Sequence, residues 1–250
     1  MLKLFVSALF SGILVAIGGS VYLSSLGSAK LYVDAAVGAL LLGVAFILIA
    51  AKGYALFTEK ASSLADGPAA DTATALLTVL LGNLVGSLLV GSLVALTMKD
   101  GLSQVAYYAV LSELADPWYL TLLLAFLGGL LLELTFSVYR EKGSFLAVLL
   151  AAPALIMGEL GYAVLFAFYF AASGFYGGLR SVGLLLLVIL GNALGAALFP
   201  LLSRLVKDAP AADASEDEDG EEYEPCFTDE EGDADDLSDE GDGAEPEVEE

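Results

Sequence analysis

The pattern Gly-Asn-x-x-Gly occurs twice in this chain, as GNLVGSLL at Gly82–Leu89 and as GNALGAAL at Gly191–Leu198, 109 residues apart. Each copy places an asparagine and two glycines four residues apart inside an apolar stretch. Small residues at that spacing let helix backbones approach closely in lipid, and a buried amide must find a hydrogen-bonding partner there. Repetition of such a unit is a mark of transporters and channels built from two halves. Each copy falls in the third hydrophobic segment of its half, so the pattern predicts a duplicated three-helix unit around a membrane pore.

Six apolar segments carry this reading: Leu4–Leu23, Leu31–Ala51, Ala75–Thr97, Trp118–Val138, Phe145–Phe170 and Val182–Leu205. Each is long enough to cross a hydrocarbon core of about 30 Å at about 1.5 Å per residue. Leu4–Leu23 is longer than a signal-peptide core and is expected to remain as a first span. Three spans per half invert the second half relative to the first. The expected fold is therefore an all-α membrane protein of six helices in two inverted repeats.

An even number of spans puts both termini on one side. Placing them in the cytoplasm gathers Lys3, Lys52, Lys60, Arg140, Lys142, Arg204 and Lys207 there and leaves Lys30, Lys99 and Arg180 outside. That asymmetry fits the positive-inside rule and a cell (plasma) membrane location. Between the third and fourth segments, QVAYYAVLSEL within Gly101–Pro117 is expected to form a short interfacial helix on the outer surface.

The formal charge of −22 belongs to one end of the chain: 22 of the 32 acidic residues lie in Asp208–Glu250, which has no Lys or Arg. The expected organisation is a channel domain over 1–207 and a disordered acidic cytoplasmic tail over 208–250, since such a tail has too little apolar surface to order itself. No partner of the tail is identifiable. No nucleic-acid partner is expected; the partners implied are a small-molecule solute and the lipid bilayer. Histidine is absent, and the one cysteine, Cys226, lies in the tail. This excludes His-ligated metals, imidazole proton shuttles, an intrachain disulfide and cysteine metal clusters. No cofactor and no catalytic constellation are expected, so the chain reads as a non-enzyme.

Two segments are interrupted. The second runs on after Ala51 as KGYALFTEKASSLADGP, and the fifth contains GELG at Gly158–Gly161. Adding the repeat offset to Gly53 lands next to Gly161, so both halves carry a glycine-marked break about 29 residues before their Gly-Asn pair. Broken helices expose backbone groups near the membrane middle, where they can replace a solute's hydration.

Gly82, Gly86, Gly191 and Gly195 are expected at close helix contacts, and Asn83 and Asn192 either bond between helices or line the pore. Lys52 either snorkels to the headgroups or stands beside the break and attracts an anion. Glu159, inside a long apolar segment, is a functional candidate or a structural partner of Lys52. Glu133 either bonds to a neighbouring helix or faces a vestibule. Thr58 is placed to cap the short helix after the first break.

With these motifs in this order, the chain resembles the formate/nitrite transporter family over most of 1–207. The resemblance lies in the first span LFVSALFSGILVAIGG, the loop Gly53-Tyr54-Ala55-Leu56-Phe57-Thr58, and the two Gly-Asn spans around a broken fifth. It implies an aquaporin-like homopentamer in which each protomer passes formate, nitrite or hydrosulfide, with Leu56, Phe57 and Thr58 as a gating loop. The chain departs from the family pattern in three places. Ala55 stands for a glutamate, Glu59-Lys60 for a Gly-Asn pair, and Gly158-Glu159-Leu160-Gly161-Tyr162 for a Phe-Glu-His-type break. The resulting pore path runs through Lys52, Leu56, Phe57, Thr58, Glu159 and Tyr162. The competing readings are a facilitator of a small neutral solute on the same fold and a non-conducting protein whose tail binds a partner.

Overall fold

The computed structural model describes residues 1–26, 31–61, 69–97 and 101–208. The helices among them are α1 (Leu2–Leu26), α2 (Leu31–Lys52), α3 (Phe57–Ala61), α4 (Ala69–Thr97), α5 (Leu102–Ala115), α6 (Trp118–Lys142), α7 (Phe145–Met157), α8 (Ala163–Ala172) and α9 (Leu179–Asp208). Five of them, in α1, α2, α4, α6 and α9, are long and apolar enough to cross a membrane. Two short apolar helices, α7 and α8, occupy the place of the expected fifth span. At about 20 Å and about 15 Å, neither reaches across a bilayer core alone. Residues 1–209 form one compact unit; the acidic tail lies outside the described residues.

The two helices that carry the Gly-Asn pairs bury the face with the glycines and asparagines and expose a face of leucines. On α4, Val79, Gly82, Asn83, Gly86 and Ser87 are buried, while Leu77, Leu81, Val85, Leu89 and Leu93 are exposed on the opposite face. On α9, Leu185, Val188, Asn192 and Ala196 are buried against the exposed Leu186, Leu190 and Leu194. A water-soluble helix would be destabilised by that leucine face; in lipid it is the ordinary surface. Most helix ends extend a few residues past the expected spans, since a helix end tolerates Lys52 or Asp71 where the apolar window stops.

The two halves repeat their contacts. α1 packs along α4 as α6 packs along α9. A Cβ on Gly12 would collide with the backbone carbonyl of Asn83, and one on Gly129 with that of Asn192. α8 is the central element, buried at all ten of its residues. The expected helix between the third and fourth segments is α5, whose Leu102, Ala106 and Val110 are buried, and which packs on α8 and α1.

Candidate functional site

Both expected breaks are present, and their backbones share one hydrogen-bond pattern. At the end of α2, Gly53 turns into left-handed conformation (φ 64°). Its N–H donates to Ala50 O at 3.1 Å, and the Tyr54 N–H donates to Ile49 O at 3.0 Å. At the end of α7, Glu159 takes the same conformation (φ 51°), with its N–H on Ile156 O at 3.2 Å and the Leu160 N–H on Leu155 O at 2.9 Å. Each chain then restarts as a helix, α3 with a bond from Lys60 N–H to Leu56 O and α8 with one from Phe166 N–H to Tyr162 O. The structural counterpart of Gly53 is thus Glu159. The expected correspondence with Gly161 is corrected, because the second half has three more residues between its break and its asparagine.

Asn83 and Asn192 hold these breaks. Asn83 Oδ1 accepts from the Phe57 N–H at 2.8 Å, and its Nδ2 donates to Ala8 O at 2.8 Å and Ala55 O at 3.0 Å. Asn192 Oδ1 accepts from the Ala163 N–H at 2.9 Å, and its Nδ2 donates to Ala125 O at 2.7 Å and Gly161 O at 2.8 Å. Each amide satisfies the first N–H of a short helix, a carbonyl of the break and a carbonyl of a third helix. These are groups that a broken helix leaves orphaned where water is scarce. Both side chains are fully buried. Of the two roles left open for them, the structure shows hydrogen bonding between elements.

The paired glycines work beside them. A Cβ on Gly82 would stand 2.6 Å from the Cβ of Ala8, and one on Gly191 2.6 Å from the Cβ of Ala125. Gly86 and Gly195 lie against the carbonyls of Leu9 and Phe126, closer than any side chain could fit.

Leu56, Phe57 and Thr58 are buried at the α3 end. Thr58 does not cap α3: its Oγ1 is buried with no hydrogen-bonding partner among the described residues. Lys52 is exposed at the end of α2. Next to it, Tyr54 stacks on Phe10 of α1 at 5.6 Å, and the Ala55 N–H donates to Ser7 Oγ at 3.1 Å. Glu159 instead lines a cavity with Tyr22 and Leu26 at the other end of α1. Phe10 and Tyr22 are about 18 Å apart along that helix. The structure therefore does not bring Lys52 and Glu159 together as a pair. Glu159 is also exposed, not buried in mid-span.

That cavity, of about 320 Å³, lies between α1, α5, α7 and α8. Its lining includes Glu113, Asp116 and Glu159, with Tyr162 and Tyr169 on its wall, and contains no Lys or Arg among the described residues. Burial, with the nearby carboxylates of Asp116 and then Glu159 adding to it, pushes the carboxyl of Glu113 up to about 7. The hydroxyls of Tyr162 and Tyr169 are buried and have no hydrogen-bonding partner among the described residues. The ring of Tyr162 meets Phe46 of α2 edge-on at 5.9 Å. No group of three His, Cys, Asp or Glu among the described residues could hold a metal, so these carboxylates share the cavity without converging on one point. Sequence reasoning missed Glu113, Asp116 and Tyr169. A signal for Glu113 existed, since it follows Val110 by one turn on the stripe of Leu102, Ala106 and Val110 that α5 buries.

At the α3 end, the Arg140 guanidinium is 2.7 Å from Glu133 Oε1 and 3.5 Å from Glu59 Oε1. Glu133 thus pairs within its own helix, two turns on, and Arg140 also reaches α3. Glu59, one of the two residues standing where the family motif has Gly-Asn, is one of its partners.

A family model described as "Formate/nitrite transporter" matches residues 1–206. No curated protein matches the chain. Among solved structures, one titled "Pentameric formate channel with formate bound" is similar at 18% identity and TM-score 0.68, covering 82% of this chain and 96% of that one. Another, titled "FNT family ion channel", is similar at 24% identity and TM-score 0.68, covering 82% of this chain and 90% of that one. At these identities the likeness establishes the fold.

Proposed function

The chain belongs to the formate/nitrite transporter family, and on that premise we propose that it is a channel for small monovalent anions or their weak acids, of the formate, nitrite or hydrosulfide class. It is a multi-pass membrane transport protein, not an enzyme. The observation that carries the reading is the pair of breaks clamped by Asn83 and Asn192. Breaking two helices in the membrane destabilises a bundle unless the break is used, and fixing both with the same three-bond device keeps two short helix starts in place.

The proposed path runs from the cavity beside α5, past Tyr162, to Leu56, Phe57 and Thr58. The hydroxyls of Thr58 and Tyr162, one beside each break, are buried and have no hydrogen-bonding partner among the described residues. Gly82, Gly86, Gly191 and Gly195 act through packing. Lys52 serves at the opposite mouth, where its charge raises the local concentration of anions.

The exposed leucine faces of α4 and α9 suit lipid or a neighbouring protomer. The structure titled as a pentameric formate channel supports a homopentamer here as well. The lysine and arginine bias supports a plasma-membrane orientation with both termini in the cytoplasm.

A facilitator of neutral solutes is the second reading, favoured by a cavity whose described lining carries three carboxylates. Proteoliposome flux of formate, nitrite, hydrosulfide and water, measured in parallel, tests both. Saturable flux of one of the acids above protein-free vesicles is expected. Water flux alone would leave the neutral facilitator, and no flux of any of them would overturn the channel reading.

A further inference from the structure

We propose that Arg140 is a latch on the pore: through Glu59 it holds α3 seated, and with α3 it holds Leu56, Phe57 and Thr58 across the path. The proposal rests on the channel reading and names what keeps that path shut. It begins from the inequality of the two short helices. α8 is buried at all ten of its residues, so apolar packing on every side fixes it. α3 has five residues, of which Phe57, Thr58 and Ala61 are buried and Glu59 and Lys60 half-buried. Polar ties therefore matter more at this break. Asn83 holds the Phe57 N–H and Ser7 the Ala55 N–H, both where the chain enters α3. Arg140 holds the body of the helix, by the side chain next to Thr58. Leu56 and Thr58 are 0% exposed and Phe57 2%, so a path through them is closed while α3 stays in place. A solute passes there only when α3 shifts.

The geometry around Arg140 is that of a tie that can open. Its guanidinium divides its two ends between two carboxylates. Nη2 is 2.7 Å from Glu133 Oε1, and Nη1 is 3.5 Å from Glu59 Oε1. The shorter contact is to the almost fully buried Glu133 of its own helix; the longer one reaches across to the partly exposed Glu59. When α3 moves away, Arg140 keeps Glu133 and Glu59 gains water, so opening strands no buried charge. A half-exposed ion pair of this length is weak enough to be made and broken. The divided fork also explains why the residue is arginine, since a lysine offers one compact charge and would stay with the nearer Glu133. Glu59 stands where the family motif has the glycine of its Gly-Asn pair, so this tie is a feature of this chain.

The test uses the full-length protein with formate flux into proteoliposomes as one measurement. The second is the rate at which a thiol reagent modifies Thr58→Cys in a Cys226→Ser background, which reports how often α3 uncovers that position. Glu59→Gln keeps the shape of the side chain and leaves Arg140 on Glu133. It should raise maximal formate flux and the modification rate about threefold, the scale of one half-exposed ion pair. The half-saturating formate concentration and the melting temperature should not move. Arg140→Lys should have the same effect on flux, and the double variant Glu59→Gln, Arg140→Lys should exceed neither single one, because both remove one tie.

If wild type moves none of the small acids, the channel reading fails and the latch on a pore with it. If wild type conducts and Glu59→Gln alters neither flux nor modification rate, the latch alone is overturned. A Glu59→Gln protein with lower flux, or one that melts well below wild type, would overturn it as well, because the pair would then hold the path open or merely hold the fold together. Effects that add in the double variant would show that Arg140 and Glu59 act separately, against the proposal. Should Thr58→Cys not assemble, the flux of the two single variants and the double one decides by the same criteria.

Discussion

Glu159 occupies the backbone position that Gly53 occupies in the other half, with φ at 51° and 64° and the same two hydrogen bonds closing each helix. Left-handed conformation costs nothing at glycine and about 1–2 kcal/mol at a residue with a Cβ. The first half uses the residue suited to the turn. The second retains a carboxylate there at the expense of strain, and strain kept at one copy of a repeat is the mark of a residue held for its side chain.

Substituting Glu159→Gly should therefore stabilise the protein by about 1 kcal/mol, and Gly53→Ala should destabilise it by a similar amount. Nothing stands within 4 Å of a Cβ at Gly53, so its cost comes from backbone strain alone. Thermal unfolding in detergent measures both. A Glu159→Gly protein that melts below wild type would mean that the carboxylate itself contributes to stability and that the turn is unstrained.

Removing either asparagine strands three polar groups at once. Asn83→Ala leaves the Phe57 N–H and the carbonyls of Ala8 and Ala55 without this partner; Asn192→Ala does the same to Ala163, Ala125 and Gly161. At about 1 kcal/mol per bond, each substitution should cost about 2–4 kcal/mol. An aspartate at either place keeps the acceptor and loses both donors, so Asn→Asp should be no better than Asn→Ala at neutral pH. Melting temperature and assembly size check this, and an Asn→Ala protein as stable as wild type would remove the clamp from the account.

The clamp was half legible in the sequence. The repeated Gly-Asn pair and the two interruptions mark which residues matter, because glycine in an apolar span and an amide in lipid each demand a structural reason. What the sequence could not show is how they join, since Asn83 reaches backward to residues 26, 28 and 75 positions away. The repeat offset also misled: 109 residues relate the asparagines, while the backbone counterparts Gly53 and Glu159 are 106 apart. Pairing Lys52 with Glu159 failed for a related reason. Hydropathy places both beside breaks but carries no depth, and the fold puts the breaks toward opposite ends of α1.

Arg140 ties α6 to α3, and its loss should be felt through Glu133. That carboxylate is 3% exposed and 2.7 Å from the guanidinium, whereas Arg140 is 40% exposed. Breaking a buried pair by deleting one partner costs about 3–5 kcal/mol, and the solvent around Arg140 lowers this to about 2–3 kcal/mol. Arg140→Met should destabilise by that amount, and adding Glu133→Gln should restore most of it. A double variant no more stable than Arg140→Met would show that the charge on Glu133 is not what Arg140 balances.

The acidic tail is expected to be dispensable for the membrane domain and to lie in the cytoplasm. Truncation after Lys207 should leave assembly size and melting nearly unchanged, because the few apolar residues of the segment form no cluster that could pack. Cys226 is the one thiol in the chain. A membrane-impermeant maleimide should label it in broken cells and not in intact ones; strong labelling of intact cells would reverse the orientation.

Glu113 predicts a pH dependence whose sign is opposite to that of an ordinary salt-bridged carboxylate. Its pKa is raised from the usual 4.5 to about 7 in the folded protein, chiefly by burial. Between those values the native state binds a proton that the unfolded state has released, so stability falls as pH rises through this window. Below about pH 4.5 both states hold the proton, and above about pH 7 both have lost it; the loss is complete on the alkaline side. Glu113→Gln has no proton to lose, so it should melt a few degrees above wild type at pH 8, and the gap should close toward pH 4.5. Melting curves of both proteins from pH 4.5 to pH 8.5 in one detergent would decide it. A gap that stays constant with pH, or one that widens toward acid, would mean that the carboxyl of Glu113 is not held protonated by its surroundings.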